Sequence, residues 1–173
     1  MTHDMTPLVQ VMAQLITPQP GNRLIFAYDL LMHEDQFPKL CPSAWLVFRA
    51  KLLSRRFIFN QDGVATIMPC RGSVVHGLVW EISEQEQVDL ESHLGVPTVL
   101  DRHGAFARGT NQEMIAVEYY ASRNHRHGIA KDPMEIVQLL AVAHQWRFPD
   151  SYLSEIAQFA PGPVEFEGER LVD

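Results

Sequence analysis

The chain has 173 residues, 46% hydrophobic and 20% charged, a balance that fits one globular domain with a full core and excludes disorder as the default. Its formal net charge of −7 excludes general binding along a nucleic-acid backbone, which needs clustered Lys and Arg to neutralise phosphates. Two cysteines, Cys41 and Cys70, cannot build a disulfide framework, and neither a leader pattern nor an apolar run of the roughly 20 residues that cross a bilayer is present, so a cytoplasmic protein without a membrane partner is expected.

In chain order, Thr6 and Pro7 open a predicted helix over about 6–17, because a hydroxyl can cap and proline fits the first helical position. Its stripe of Leu8, Val9, Val11, Met12, Leu15 and Ile16 either covers a core face or packs on a second subunit, giving a homodimer. Pro18 to Gly21 stops it. Leu24 to Tyr28 reads as a short buried strand followed by a polar loop. Trp45 to Phe59 mixes apolar and basic residues, and its run of Arg49, Lys51, Arg55 and Arg56 is expected to decorate the solvent face of a strand pair rather than bind phosphate. Asp62-Gly63 supplies a hairpin turn, with strands predicted at Val64 to Met68 and Val74 to Ile82. Ser83 caps a helix whose first turn holds Glu84 and Glu86; Val88, Leu90 and Leu94 give its apolar contacts, and Gly95 ends it. Met114 to Ala121 is a further strand. Asp132-Pro133 opens a helix through Ile136, Leu139, Leu140 and Val142, and Pro149 opens another toward Phe159. The tail from about 161 to 173 is acidic and proline-interrupted. No repeat is visible, and the order of elements predicts a single α+β domain over 1–173, a curled mixed β-sheet or barrel flanked by helices.

Five segments carry a resemblance. Tyr28-Asp29-Leu30-Leu31-Met32 is similar to a Tyr-Gly-x loop signature, with Asp29 at the glycine position, and Asp62-Gly63-Val64-Ala65-Thr66-Ile67 to a Gly-Gly-Val-Ala-Thr-Ile strand. Val75 to Trp80 is similar to Val-x-Gly-Val-Val-Trp, and Leu90 to Val96 to a Leu-Asp-x-x-Glu-Gly-Val helix end; Phe148-Pro149 with Tyr152 matches a later Leu-Pro-x-x-Tyr segment. In this order they resemble the γ-glutamylcyclotransferase-like (AIG2-like) family. The resemblance implies that fold, with a pocket at the mouth of the curled sheet lined by Tyr28, Asp29, Leu30 and Leu31, by the helix end at Leu94, and by a tyrosine of Met114 to Ala121, Tyr119 or Tyr120. It also implies cyclisation of a γ-glutamyl group to 5-oxoproline, in which a glutamate moves protons between attacking and leaving amines. Leu94 stands at the position of that glutamate and cannot transfer a proton.

The candidates for relocated acid/base work are Asp29, Glu91 and His93. Asp29 keeps the loop N–H but sets a carboxylate where an oxyanion would develop, which suits a cationic ligand instead; if the loop needs a positive φ there, Asp29 is strained. Glu91 lies one helical turn before Leu94, and a structural role on the helix is the plainer reading. His93 has a suitable unperturbed pKa but points about 100° away from Leu94. Glu81 reads as an exposed strand carboxylate, and Glu34 and Asp35 as solvated loop. His125-Arg126-His127 has a metal-binding spacing, but flanking arginines disfavour a cation, so no metal and no cofactor are expected. Cys41 and Cys70 have no paired base in sequence and are expected to behave as small apolar residues. Two functions fit: an enzyme acting on a small amine- or amide-bearing substrate with changed acid/base residues, or a non-catalytic small-ligand-binding or protein-interaction module. A pocket filled by Leu30, Leu31 and Leu94 would favour the second.

Overall fold

The computed structural model describes residues 17–162; the predicted helix over about 6–17 and the acidic tail therefore lie almost wholly outside the described residues. Five strands close into a barrel: β1 (Asn22–Ala27), β2 (Trp45–Phe59), β3 (Ala65–Ser83), β4 (Asp101–Gly109) and β5 (Met114–Ala121), in the spatial order β1-β3-β2-β4-β5. All neighbours are antiparallel except β1 and β5, whose parallel contact closes the ring. The helices are α1 (Phe37–Leu40), α2 (Glu84–Leu94), α3 (Pro133–Gln145) and α4 (Asp150–Ala157).

The β2–β3 hairpin is the backbone of the barrel. Asn60 forms its turn: its side-chain oxygen accepts from the N–H groups of Asp62 and Val64 at 3.0 Å each, and Gly63 takes the left-handed conformation at φ 73°. The two strands expected at Val64–Met68 and Val74–Ile82 are one strand. Pro69 and Gly72 interrupt the ladder without ending it, because the residues between Pro69 and Val74 bulge opposite Ser54, and pairing resumes on both sides. Strand β4 and helix α1 carried no clear signal in the sequence. The polar, glycine-containing Asp101–Gly109 segment lacks an alternating apolar face, and its pairing with β5 supplies the order instead.

Closing the sheet buries strands on both faces, since the barrel interior takes one set of side chains and the surrounding helices and loops take much of the other. Phe57 and Phe59 are fully buried and meet edge-to-face at 5.4 Å, with Phe159 and Tyr28 against the same cluster. On the other face, Phe37 of α1 stacks on Trp80 at 4.7 Å. The expected exposure of Glu81 is therefore corrected. It is 3% exposed, and its carboxylate accepts from Asn22 and Trp45, the partners that permit a buried carboxylate. Val88 is the reverse case, 57% exposed on α2, where Leu90 alone of the three expected apolar contacts is fully buried.

Candidate functional site

Strand β1 ends at Ala27, and Tyr28 donates its hydroxyl hydrogen to the carbonyl of Tyr120 at the end of β5. That bond ties the two parallel strands together where the barrel mouth opens. Burial, then the charge of Asp29, raises Tyr28 well above the ordinary tyrosine value, so it stays a neutral donor. Asp29 then caps a single 3₁₀ turn, Leu30–Met32, with its carboxylate accepting from Leu31 N–H at 3.0 Å. Its φ is −121°, so the strain anticipated for a positive-φ site is absent.

One cavity gathers Phe26, Ala27, Tyr28, Asp29 and Leu31 with Leu94 at the end of α2, Leu100 before β4, and Tyr120. Its volume is about 10 Å³, room for roughly one water. Leu94 is the last residue of α2: Ser83 and Glu86 form a reciprocal capping box at the start of the helix, and Gly95 in the left-handed conformation stops it after Leu94. Leu30 packs on the core beside this cavity without lining it.

Glu91 approaches the rim from the preceding turn of α2. It accepts from Arg102 of β4 and, at 2.9 Å, from the Tyr120 hydroxyl; Gln87 donates to the same hydroxyl at 3.2 Å. Arg102 also lies 3.5 Å from Glu118, whose other oxygen is 3.9 Å from Arg23. The hydrogen bond from Arg102, supported by Tyr120, holds Glu91 below the usual carboxylate range. A carboxylate committed to two donors, with its basicity lowered by them, is a poor acceptor for the amine proton that the family's glutamate moves. His93 is exposed and does not line the cavity.

The two tyrosines of β5 part company. Tyr120 belongs to the cavity, whereas Tyr119 stacks on His103 at 5.2 Å and lines a separate cleft of about 420 Å³ with Arg55, Ser122, Arg123 and His125. His125 and His127 are both exposed, and among the described residues no group of three His, Cys, Asp or Glu side chains could hold a metal ion. Cys41 is buried, its thiol pushed up to about 12 by burial and by Glu86. Cys70 accepts a hydrogen bond from Ser73.

Sequence reasoning did not reach Glu135, Leu100 or Arg102. Glu135 sits in the first turn of α3, which packs against the Leu30–Met32 turn, and burial and then Asp29 raise its pKa. Burial likewise raises Asp29. In sequence Glu135 looks like an ordinary helix-dipole acid; only the docking of α3 sets it in the field of Asp29.

No protein-family model and no curated protein sequence matches the chain. Solved structures do match: a gamma-glutamyl cyclotransferase superposes with a TM-score of 0.73 at 19% identity, over 86% of this chain and 92% of that one. An uncharacterised human protein gives 0.73 at 19% identity over 85% and 93%, and an AIG2-like mouse protein gives 0.52 at 17% over 59% and 78%. The chain thus has the γ-glutamylcyclotransferase-like fold, an α+β closed barrel flanked by helices. No helix among the described residues is long and apolar enough to cross a membrane.

Proposed function

We propose that this chain is a divergent member of the γ-glutamylcyclotransferase-like (AIG2-like) family that keeps the fold as a small-ligand-binding or interaction module and no longer performs cyclotransfer. The observation that carries this reading is the small size of the cavity: about 10 Å³ is left among its lining residues, which include Leu31, Leu94 and Leu100, where a γ-glutamyl group, many times larger than a water, would have to enter. The chemistry agrees. Leu94 cannot move a proton, Glu91 is held as an ionised partner of Arg102, and the Leu31 N–H, a donor that a substrate oxygen could use, is already bonded to Asp29.

A second reading, an enzyme on an amine-bearing substrate with relocated acid/base groups, is favoured by one observation. Asp29 and Glu135 are carboxyls with raised pKa values, Asp29 through burial and Glu135 through burial and then the charge of Asp29, the kind of environment that retains a proton for transfer. The same two groups would attract a cationic ligand. Two free thiols support a cytoplasmic location, and the exposed Leu53, Phe106 and Met114 around one shallow cleft support a homodimer.

The test is release of 5-oxoproline from a panel of γ-glutamyl amines by purified protein. The expected result is none above buffer for the wild type and none for Leu94→Glu, whose carboxylate would lack a substrate pocket. Wild-type turnover proportional to protein concentration would overturn the module reading. Turnover of an amine substrate abolished by both Asp29→Asn and Glu135→Gln would establish the second.

A further inference from the structure

Four cationic side chains from distant parts of the chain meet in one cleft. A cleft of about 240 Å³ is lined by Arg49 and Lys51 of β2, His76 of β3, Arg108 at the end of β4, and Arg147 between α3 and α4. Phe148 and Pro149 add an apolar wall, and Thr110 and Gln112 add polar groups. None of its residues lines the small cavity at Asp29.

Three strands bring this about at one level of the barrel. His76 is the cross-strand partner of Lys51, and Lys51 is in turn the partner of Arg108, so one row across β3, β2 and β4 carries an imidazole, an ammonium and a guanidinium. Basic side chains directly opposite one another destabilise a sheet unless something compensates. Among the described residues no carboxylate forms an ion pair with Arg49, Lys51, Arg108 or Arg147, and Arg108 Nε is buried without a partner. Glu113 lies against Gly109 on the β4–β5 turn but is not part of the lining.

The fourth cation is held in place by backbone geometry. Arg147 has φ 56° at the end of α3, where its N–H bonds to the carbonyl of His144 and that of Phe148 reaches Ala143. This is the left-handed helix stop at which glycine is strongly favoured. Here an arginine occupies it and faces the cleft, while Arg49 is oriented by a 2.9 Å bond to the carbonyl of Trp146 next door.

We propose that this cleft is a binding site for a small organic phosphate. Four full positive charges more than neutralise a phosphate dianion, and guanidinium forks fit its oxygens in pairs. The volume lies below the roughly 300–1,000 Å³ of sites for drug-sized ligands, which favours a phosphate with a short organic part resting on Phe148 and Pro149. The net charge of −7 and the limited volume of the concavity disfavour a nucleic-acid strand, which needs a continuous basic track.

His76 reports on occupancy. Burial, then Lys51 and Arg49, lower it to about 4, and Arg108, Arg147 and the hydroxyl of Tyr152, bonded to the His76 carbonyl, complete its surroundings. A bound dianion offsets the cationic part of that depression and raises the pKa.

The experiment titrates the full chain with glycerol 3-phosphate by calorimetry, and follows the His76 ring proton by NMR across pH with and without it. Saturable binding with an upward shift of the His76 pKa is expected. Lys51→Gln and Arg147→Gly should each weaken binding about tenfold, the loss of one charge-assisted contact. Arg147→Gly relieves the left-handed backbone, so its melting temperature should hold or rise while its affinity falls. That combination separates a ligand role from a structural one. Absence of saturable binding, wild-type affinity in both variants, equal binding of citrate, or tighter binding of a single-stranded oligonucleotide would each overturn the proposal.

Discussion

At Asp29 a carboxylate does two opposed things. It caps Leu31, which stabilises the 3₁₀ turn, and it sits half-buried with its charge raising the pKa of Glu135. Burial raises Asp29 above its ordinary 3.8, and burial together with Asp29 raises Glu135 above 4.5. A group with a raised folded pKa binds its proton more tightly when folded, so folding gains as pH falls through the folded value toward the unfolded one, and the ionised form is a cost at neutral pH. Asp29→Asn keeps an oxygen for Leu31 and removes the charge. Thermal melts should show a higher midpoint at pH 7, with the gain shrinking as pH is lowered toward 4, and the Glu135 carboxyl should titrate lower by NMR. A lower midpoint at pH 7 would mean that the cap, not the charge, dominates at this residue. Asp29 was visible in the sequence as a departure from a glycine signature. Its partner Glu135, over a hundred positions away, was not, because nothing local distinguishes it from any acid in a first helical turn.

Among the elements, α2 sets the site. Ser83 accepts from Glu86 N–H at 3.1 Å; Glu86 accepts from Ser83 N–H at 3.0 Å, from Ser43 N–H at 2.8 Å and from the Ser43 hydroxyl. The capping box thus doubles as an anchor for the loop before β2, which places Glu91 about two turns and Leu94 about three turns further along. In urea denaturation Ser83→Ala should cost about 1 kcal/mol, a usual cap value. Glu86→Ala should cost more, on the order of 2–3 kcal/mol, because two backbone donors and a hydroxyl lose a charged acceptor at once. Equal costs would show that the Ser43 anchor contributes nothing. The helix itself was legible from Ser83, Glu86 and Gly95. Strand β4 was not, since its order comes from β5 across the ladder rather than from its own residues.

Over the whole molecule, closure of the barrel decides which groups meet. Gly77 shows how tightly: a Cβ there would lie 2.3 Å from the Ala27 carbonyl and 2.6 Å from the Phe26 ring, so β1 can lie against β3 only over a glycine. Gly77→Ala should reach or exceed the upper end of the roughly 1–3 kcal/mol typical of overpacking, read as a fall in the urea midpoint. An unchanged midpoint would mean that β1 can move away without loss. Closure also buries Glu81, which strand alternation alone assigned to solvent, and turns a run of basic residues on β2 into one wall of a cleft whose other walls come from β3, β4 and the α3–α4 connection.

The sequence by itself determined the elements whose signals are local: caps, turn residues, apolar periodicity, and the motifs whose order resembles the γ-glutamylcyclotransferase-like fold. It also showed that the glycine and glutamate positions of those motifs hold Asp29 and Leu94. Only the tertiary structure decided what those replacements do. The volume left between Leu31, Leu94 and Leu100, the pairing of Glu91 with Arg102, and the row of His76, Lys51 and Arg108 each join residues distant in the chain. Cavity volume and electrostatic field depend on distances through space, and those are set by barrel register rather than by any local run of residues.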